Sequence, residues 1–107
     1  MKVEALPLVL QCKVAGLPAP ETEVRVCRDR KWAFDYAWSP WRIACEVEGG
    51  VFTDGRHTRG LGYTEDCEKY NQAAISGWLV IRATTAMVAD GRALAALRAA
   101  FSARGLE

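Results

Sequence analysis

Asp35, Glu46 and Glu48 are the residues whose types and spacing could do chemistry together. Side chains of a strand alternate between its two faces. Trp32, Phe34, Tyr36 and Trp38 therefore share one face, and Ala33, Asp35 and Ala37 the other; Ile43, Cys45 and Val47 separate in the same way from Ala44, Glu46 and Glu48. With Ser39-Pro40-Trp41-Arg42 as the turn and Trp38 facing Ile43, Asp35 stands opposite Glu46, and Glu48 follows two residues along. A one-residue slip would send the acids to opposite faces. Crowded carboxylates repel unless a cation sits among them. Magnesium, with manganese as a substitute, takes one or two carboxylates, waters and a substrate phosphate, the setting for phosphodiester hydrolysis. The ordinary alternative is a hairpin with a solvated acidic face, although Asp and Glu are poor strand formers.

The surrounding pattern supplies elements to position these acids. Residues 5–15 suit a first helix, with Pro7 in its opening turn and Gly16 ending it. Alternation predicts strands over 22–27, 32–38 and 42–48, joined by Arg28-Asp29-Arg30-Lys31 and by the Pro40 turn. Residues 49–62 are rich in glycine and charge and read as a loop, the kind of segment that often carries function. Thr64 then caps a helix ending near Gly77, with Cys67, Tyr70 and Ala74 as its apolar stripe. The continuous apolar run Trp78–Ile81 predicts a central strand covered on both faces, and 91–103 a last helix burying Leu94, Leu97 and Phe101. The order α-β-β-β-α-β-α implies an α/β fold, a mixed four-stranded sheet flanked by helices.

At 107 residues and half hydrophobic, the chain suits one domain spanning 1–107. The formal charge of +1 does not by itself mark a nucleic-acid binder, but acids gathered at one site would leave the basic clusters Arg25/Arg28/Arg30/Lys31 and Arg56/Arg59 to dominate elsewhere. Cys12, Cys27, Cys45 and Cys67 form no CxxC pair, which argues against a zinc ribbon or redox dithiol and favours buried thiols. The N-terminal apolar run is short and broken by Pro7, and no segment reaches membrane-spanning length, so a cytoplasmic, soluble protein is expected.

An N-terminal helix and a meander carrying Asp and then Glu-x-Glu, followed by a helix and a fourth strand, resemble the core of the PD-(D/E)XK nuclease superfamily. Within it, Glu46-Val47-Glu48-Gly49-Gly50, Gly55-Arg56-His57-Thr58-Arg59-Gly60, Asp66-Cys67-Glu68-Lys69-Tyr70-Asn71 and Gly77-Trp78 look like the small endonucleases of bacteriophages and prophages, some of them archaeal-type Holliday junction resolvases. The resemblance makes Asp35 and Glu46 metal ligands, with the Val47 carbonyl between the motif positions. Glu48 stands where a lysine is usual and would join the metal site. Lys69 would supply the catalytic cation from the following helix; its alternative is a surface pair with Glu65 or Asp66. Glu4, the one acid before residue 20, would be the helical metal ligand of the family.

Arg30, Lys31, Arg56, His57 and Arg59 would bind DNA, His57 by phosphate contact or as a general base. Trp41, in the turn, is expected to be the exposed tryptophan. The implied activity is magnesium-dependent, structure-selective DNA hydrolysis, with a Holliday junction as substrate and a homodimer to match its two-fold symmetry, in a bacterial cytoplasm. A mismatch-nicking or restriction-type nuclease of the same fold, or a DNA-binding module without catalysis, are the alternatives.

Overall fold

The computed structural model describes residues 2–26, 32–49 and 60–106. A 3-10 turn over Val3–Ala5 precedes α1 (Leu8–Val14); then come β1 (Glu21–Val24), β2 (Phe34–Trp38), a 3-10 turn over Ser39–Trp41 and β3 (Ile43–Glu48). The chain continues through α2 (Gly60–Ile75), β4 (Leu79–Thr84), α3 (Thr85–Ala89) and α4 (Arg92–Ala103). The strands lie in the order β1-β2-β3-β4, antiparallel except for the parallel pair β3–β4. This is an α/β fold with a four-stranded mixed sheet. No helix among the described residues is long and apolar enough to cross a membrane.

The first helix is shorter than the sequence pattern implied. Pro7 sits at its N-cap rather than inside it, so Glu4 falls in the preceding 3-10 turn. α2 starts at Gly60, ahead of the expected Thr64 cap, and α3 is an added helix whose cap is Thr84, its hydroxyl accepting from the Met87 N–H. β4 runs three residues past Ile81 and lies at the edge of the sheet, not at its centre; its apolar residues Leu79, Val80 and Ile81 are only half-buried. The continuous apolar run reflects packing on both faces, and this holds for an edge strand flanked by helices as well as for a central one.

The two faces of the sheet are unequally covered. On one, α1, α3 and α4 enclose a core of Leu8, Cys12, Trp38, Ile43, Cys45, Ala83, Leu97 and Phe101. Trp38 meets Phe101 edge-on at 5.4 Å, and Trp41 does so at 5.5 Å, so Trp41 is half-buried rather than exposed. On the other face α2 covers a small cluster of Phe34, Ala44 and Ala73, edged by Tyr70, Trp78 and Val80. The residues of α2 turned inward are Asp66, Lys69, Tyr70 and Ala73, spaced three and four apart. Cys67 is exposed, contrary to the predicted stripe, and Ile75 is 77% exposed.

Cys12 and Cys45 are buried free thiols, as expected, while Cys27 lies outside the described residues. Burial pushes the Cys12 thiol up to about 11 and the Cys45 thiol up to about 12. Since the thiolate is the reactive form, iodoacetamide at mildly alkaline pH should alkylate Cys67 in the folded protein and reach Cys12 and Cys45 only after denaturation. Peptide mapping by mass spectrometry checks this; modification of Cys45 at the rate of Cys67 would contradict the packing.

Candidate functional site

The hairpin register is the expected one: Trp38 pairs with Ile43, Ala37 with Ala44 and Tyr36 with Cys45. The next step along brings Asp35 beside Glu46, and there the ladder changes character. The Asp35 N–H donates to Glu46 Oε1 at 3.3 Å, and Asp35 Oδ2 accepts from the Val47 N–H at 2.8 Å. A carboxylate thus takes the place of a backbone carbonyl between β2 and β3. The simple alternation of β2 ends at the same point. Tyr36 and Trp38 pack on the α4 side as one face, but Phe34 joins Ala44 and Ala73 beneath α2, a correction to the single aromatic face read from the sequence. Across the hairpin, Glu23 of β1 adopts a left-handed φ of 54° between the pairs Thr22–Tyr36 and Val24–Phe34. Side chains rarely accept that conformation, so the sheet is distorted on both flanks of Asp35.

Lys69 enters this distorted region from α2. It is 7% exposed, its Nζ lying over the Phe34 ring, 4.5 Å from the centroid. Nζ donates to the Ala33 carbonyl at 2.8 Å and to Glu46 Oε2 at 3.0 Å. Of the two roles open to Lys69 in the sequence, the structure thus places it inward with Glu46. Burial raises the Glu46 carboxyl above the usual carboxylate range; the Lys69 hydrogen bond and charge oppose that rise, and the Asp35 charge adds to it. The lysine is the main influence opposing that rise.

Glu48 is on the same face but belongs to another group. Both of its oxygens accept from Arg82, Oε2 from Nε at 2.7 Å and Oε1 from Nη2 at 2.8 Å. The expected patch of three carboxylates is therefore divided, and among the described residues no three His, Cys, Asp or Glu side chains converge as a metal-holding group. Glu4 is not brought to Asp35 either. It lies against Gly91 and lines, with Gln11, Leu94 and Arg98, a cavity of about 580 Å³ beside α4, on the face of the sheet opposite Lys69. Its place in a 3-10 turn ahead of Pro7, rather than on α1, accounts for this. Arg30, Lys31, Arg56, His57 and Arg59 lie outside the described residues.

Asp35, Glu46 and the Val47 carbonyl are the groups here that could hold a hard divalent ion. Asp35 and Glu46 are half-buried neighbours. The Val47 N–H points toward β2, and the N–H and C=O of one strand residue lie on the same side. The Val47 carbonyl therefore opens on the Asp35 flank, not into the β3–β4 ladder. Two carboxylates and a carbonyl are a sufficient protein share for magnesium, which keeps several waters.

Arg82 is the residue that the sequence pattern did not single out. It pairs across the β3–β4 ladder with Glu46 and stacks 4.3 Å from the Tyr70 ring centroid. The apolar run ending at Ile81 hid it, because the strand continues past the last apolar residue of that run.

No protein-family model, curated protein or solved structure matches the chain. The functional reading consequently rests on the topology and on the Asp35–Glu46–Lys69 geometry.

Proposed function

We propose that this protein is a magnesium-dependent endodeoxyribonuclease of the PD-(D/E)XK type, acting on branched DNA as a Holliday junction resolvase. The observation that carries the reading is the Lys69 amino group, drawn from α2 to 3.0 Å from Glu46 while Glu46 abuts Asp35. A helix lysine thereby stands in for the one missing from the Glu46-Val47-Glu48 segment. The sheet order, with β3 and β4 parallel and joined through α2, supports the same reading.

In this account Asp35, Glu46 and the Val47 carbonyl hold the metal. The bound ion would supply Lewis acidity and a water of lowered pKa. The chain's own residues do the rest. Lys69 opposes the effect of burial on Glu46, and its third N–H would be available to developing charge on the phosphate. Asp35 is fixed by the Val47 N–H, so the ligand set is ordered before substrate arrives. In the sequence, Lys31 stands three residues before β2 and Arg30 four, while Arg59 directly precedes α2, with His57 and Arg56 three and four residues before it. The two segments carrying the expected phosphate contacts are thus close in sequence to the elements that hold the acids and the lysine. The recognition proposed is of branch shape and phosphates, contacts that position DNA without reading a long sequence. Two cuts related by two-fold symmetry call for a homodimer.

The test is a comparison of an immobile four-way junction with linear duplex of the same sequence, each end-labelled. Paired symmetric nicks confined to the junction are expected. Equal cutting of the duplex would replace the resolvase with a general nuclease of this fold, and binding without cutting would leave a DNA-binding module.

A further inference from the structure

Arg82 is held in a manner that a solvating charge does not require. Its Nε and Nη2 grip both oxygens of Glu48, and its guanidinium lies over the Tyr70 ring. Exposed ion pairs contribute little to stability, and the Arg82 side chain is 50% exposed. What the arrangement achieves is orientation. Two of the five N–H donors are spent on the side-on contact with Glu48, so three remain, and one from each of Nη1 and Nη2 forms the end-on edge. That edge is a planar fork of the shape that phosphate oxygens accept in pairs. Since Arg82 is the ladder partner of Glu46, one strand over from the proposed metal ligands, the fork stands beside the site on the same face.

We propose that Arg82 is a phosphate-binding residue of this site, gripping a DNA phosphate next to the one attacked, with Glu48 and Tyr70 as the residues that aim it. The inference rests on the nuclease reading and deepens it. It also gives Glu48 a role: standing where a lysine is usual, it recruits an arginine from β4, so a cation is kept beside the acids by a different route.

The experiment measures binding of a fluorescent four-way junction to the full chain, in chelator and over a series of salt concentrations, for the parent, Arg82→Gln, Arg82→Lys and the double variant Arg82→Gln/Glu48→Gln. The double variant removes both charges of the pair, so no unpaired acid is left to disturb folding, and circular dichroism checks each protein. Arg82→Gln and the double variant should bind about tenfold more weakly, with a log–log salt slope shallower by about one. Arg82→Lys should restore the slope but only part of the affinity, because an ammonium lacks the fork. Parent affinity and slope in both glutamine variants would overturn the role of Arg82 while leaving the nuclease reading standing. A parent that binds no junction would overturn both.

Discussion

Glu46→Gln is expected to cut branched DNA roughly 10³-fold more slowly than the parent in magnesium, the scale of loss when a group acting directly on transition-state charge is removed. Binding of the same junction in chelator should be retained or tightened, because one negative charge facing the phosphates is gone. The substitution is nearly isosteric. The glutamine carbonyl can still accept from the Asp35 N–H, so β2 and β3 keep their local connection. What is lost is a charged oxygen ligand beside Asp35. Rates from denaturing gels and affinities from anisotropy separate the two effects. An unchanged rate would reduce Glu46 to a structural partner of Lys69.

Lys69→Met is expected to slow cutting by roughly 10²- to 10³-fold and to lower stability at neutral pH by about 1–2 kcal/mol, less than for a fully buried pair because Glu46 keeps some contact with water. Methionine is unbranched, of similar length and apolar, and it removes the cation that lies over the Phe34 ring. The sign of the pH dependence follows from Glu46. A carboxyl raised in the folded state favours folding below its unfolded pKa and loses that contribution as pH rises through its folded pKa. Burial already raises Glu46, and the Lys69 interactions oppose the rise. Without Lys69 the folded value climbs further, so the deficit should be small in the ordinary carboxylate range and grow toward neutrality. Urea unfolding at several pH values measures it. Adding Glu46→Gln to Lys69→Met should recover most of the stability and none of the cutting, which a purely structural ion pair would not do.

The parts legible in the sequence were those governed by local geometry. The Pro40 turn and the alternation of Ala37 and Ala44 against Trp38 and Ile43 specified the register that puts Asp35 beside Glu46. Gly77 and Gly91, at φ of 87° and 88°, mark helix boundaries as only glycine does without strain. What escaped depends on partners distant in the chain. Phe34 leaves its aromatic neighbours at the point where the Asp35 carboxylate, not a carbonyl, meets the Val47 N–H. The inward face of α2 is built on a lysine stem, a tyrosine and an alanine, so an apolar stripe pointed to Cys67 instead. Glu48 was expected to join a metal, yet its fate was decided by Arg82 on a strand that the apolar run ended too soon. The resemblance implies a ligand role for Glu4, but the break at Pro7 puts it in a 3-10 turn on the other face.

The most direct test of the central claim is incubation of an end-labelled four-way junction with the parent, Glu46→Gln and Lys69→Met proteins purified in parallel, each in magnesium and in chelator, resolved on a denaturing gel. Discrete cuts by the parent in magnesium alone, and their near-complete loss in both variants, are expected. A parent that leaves the junction intact in magnesium, or variants that cut at the parent rate, would contradict the claim.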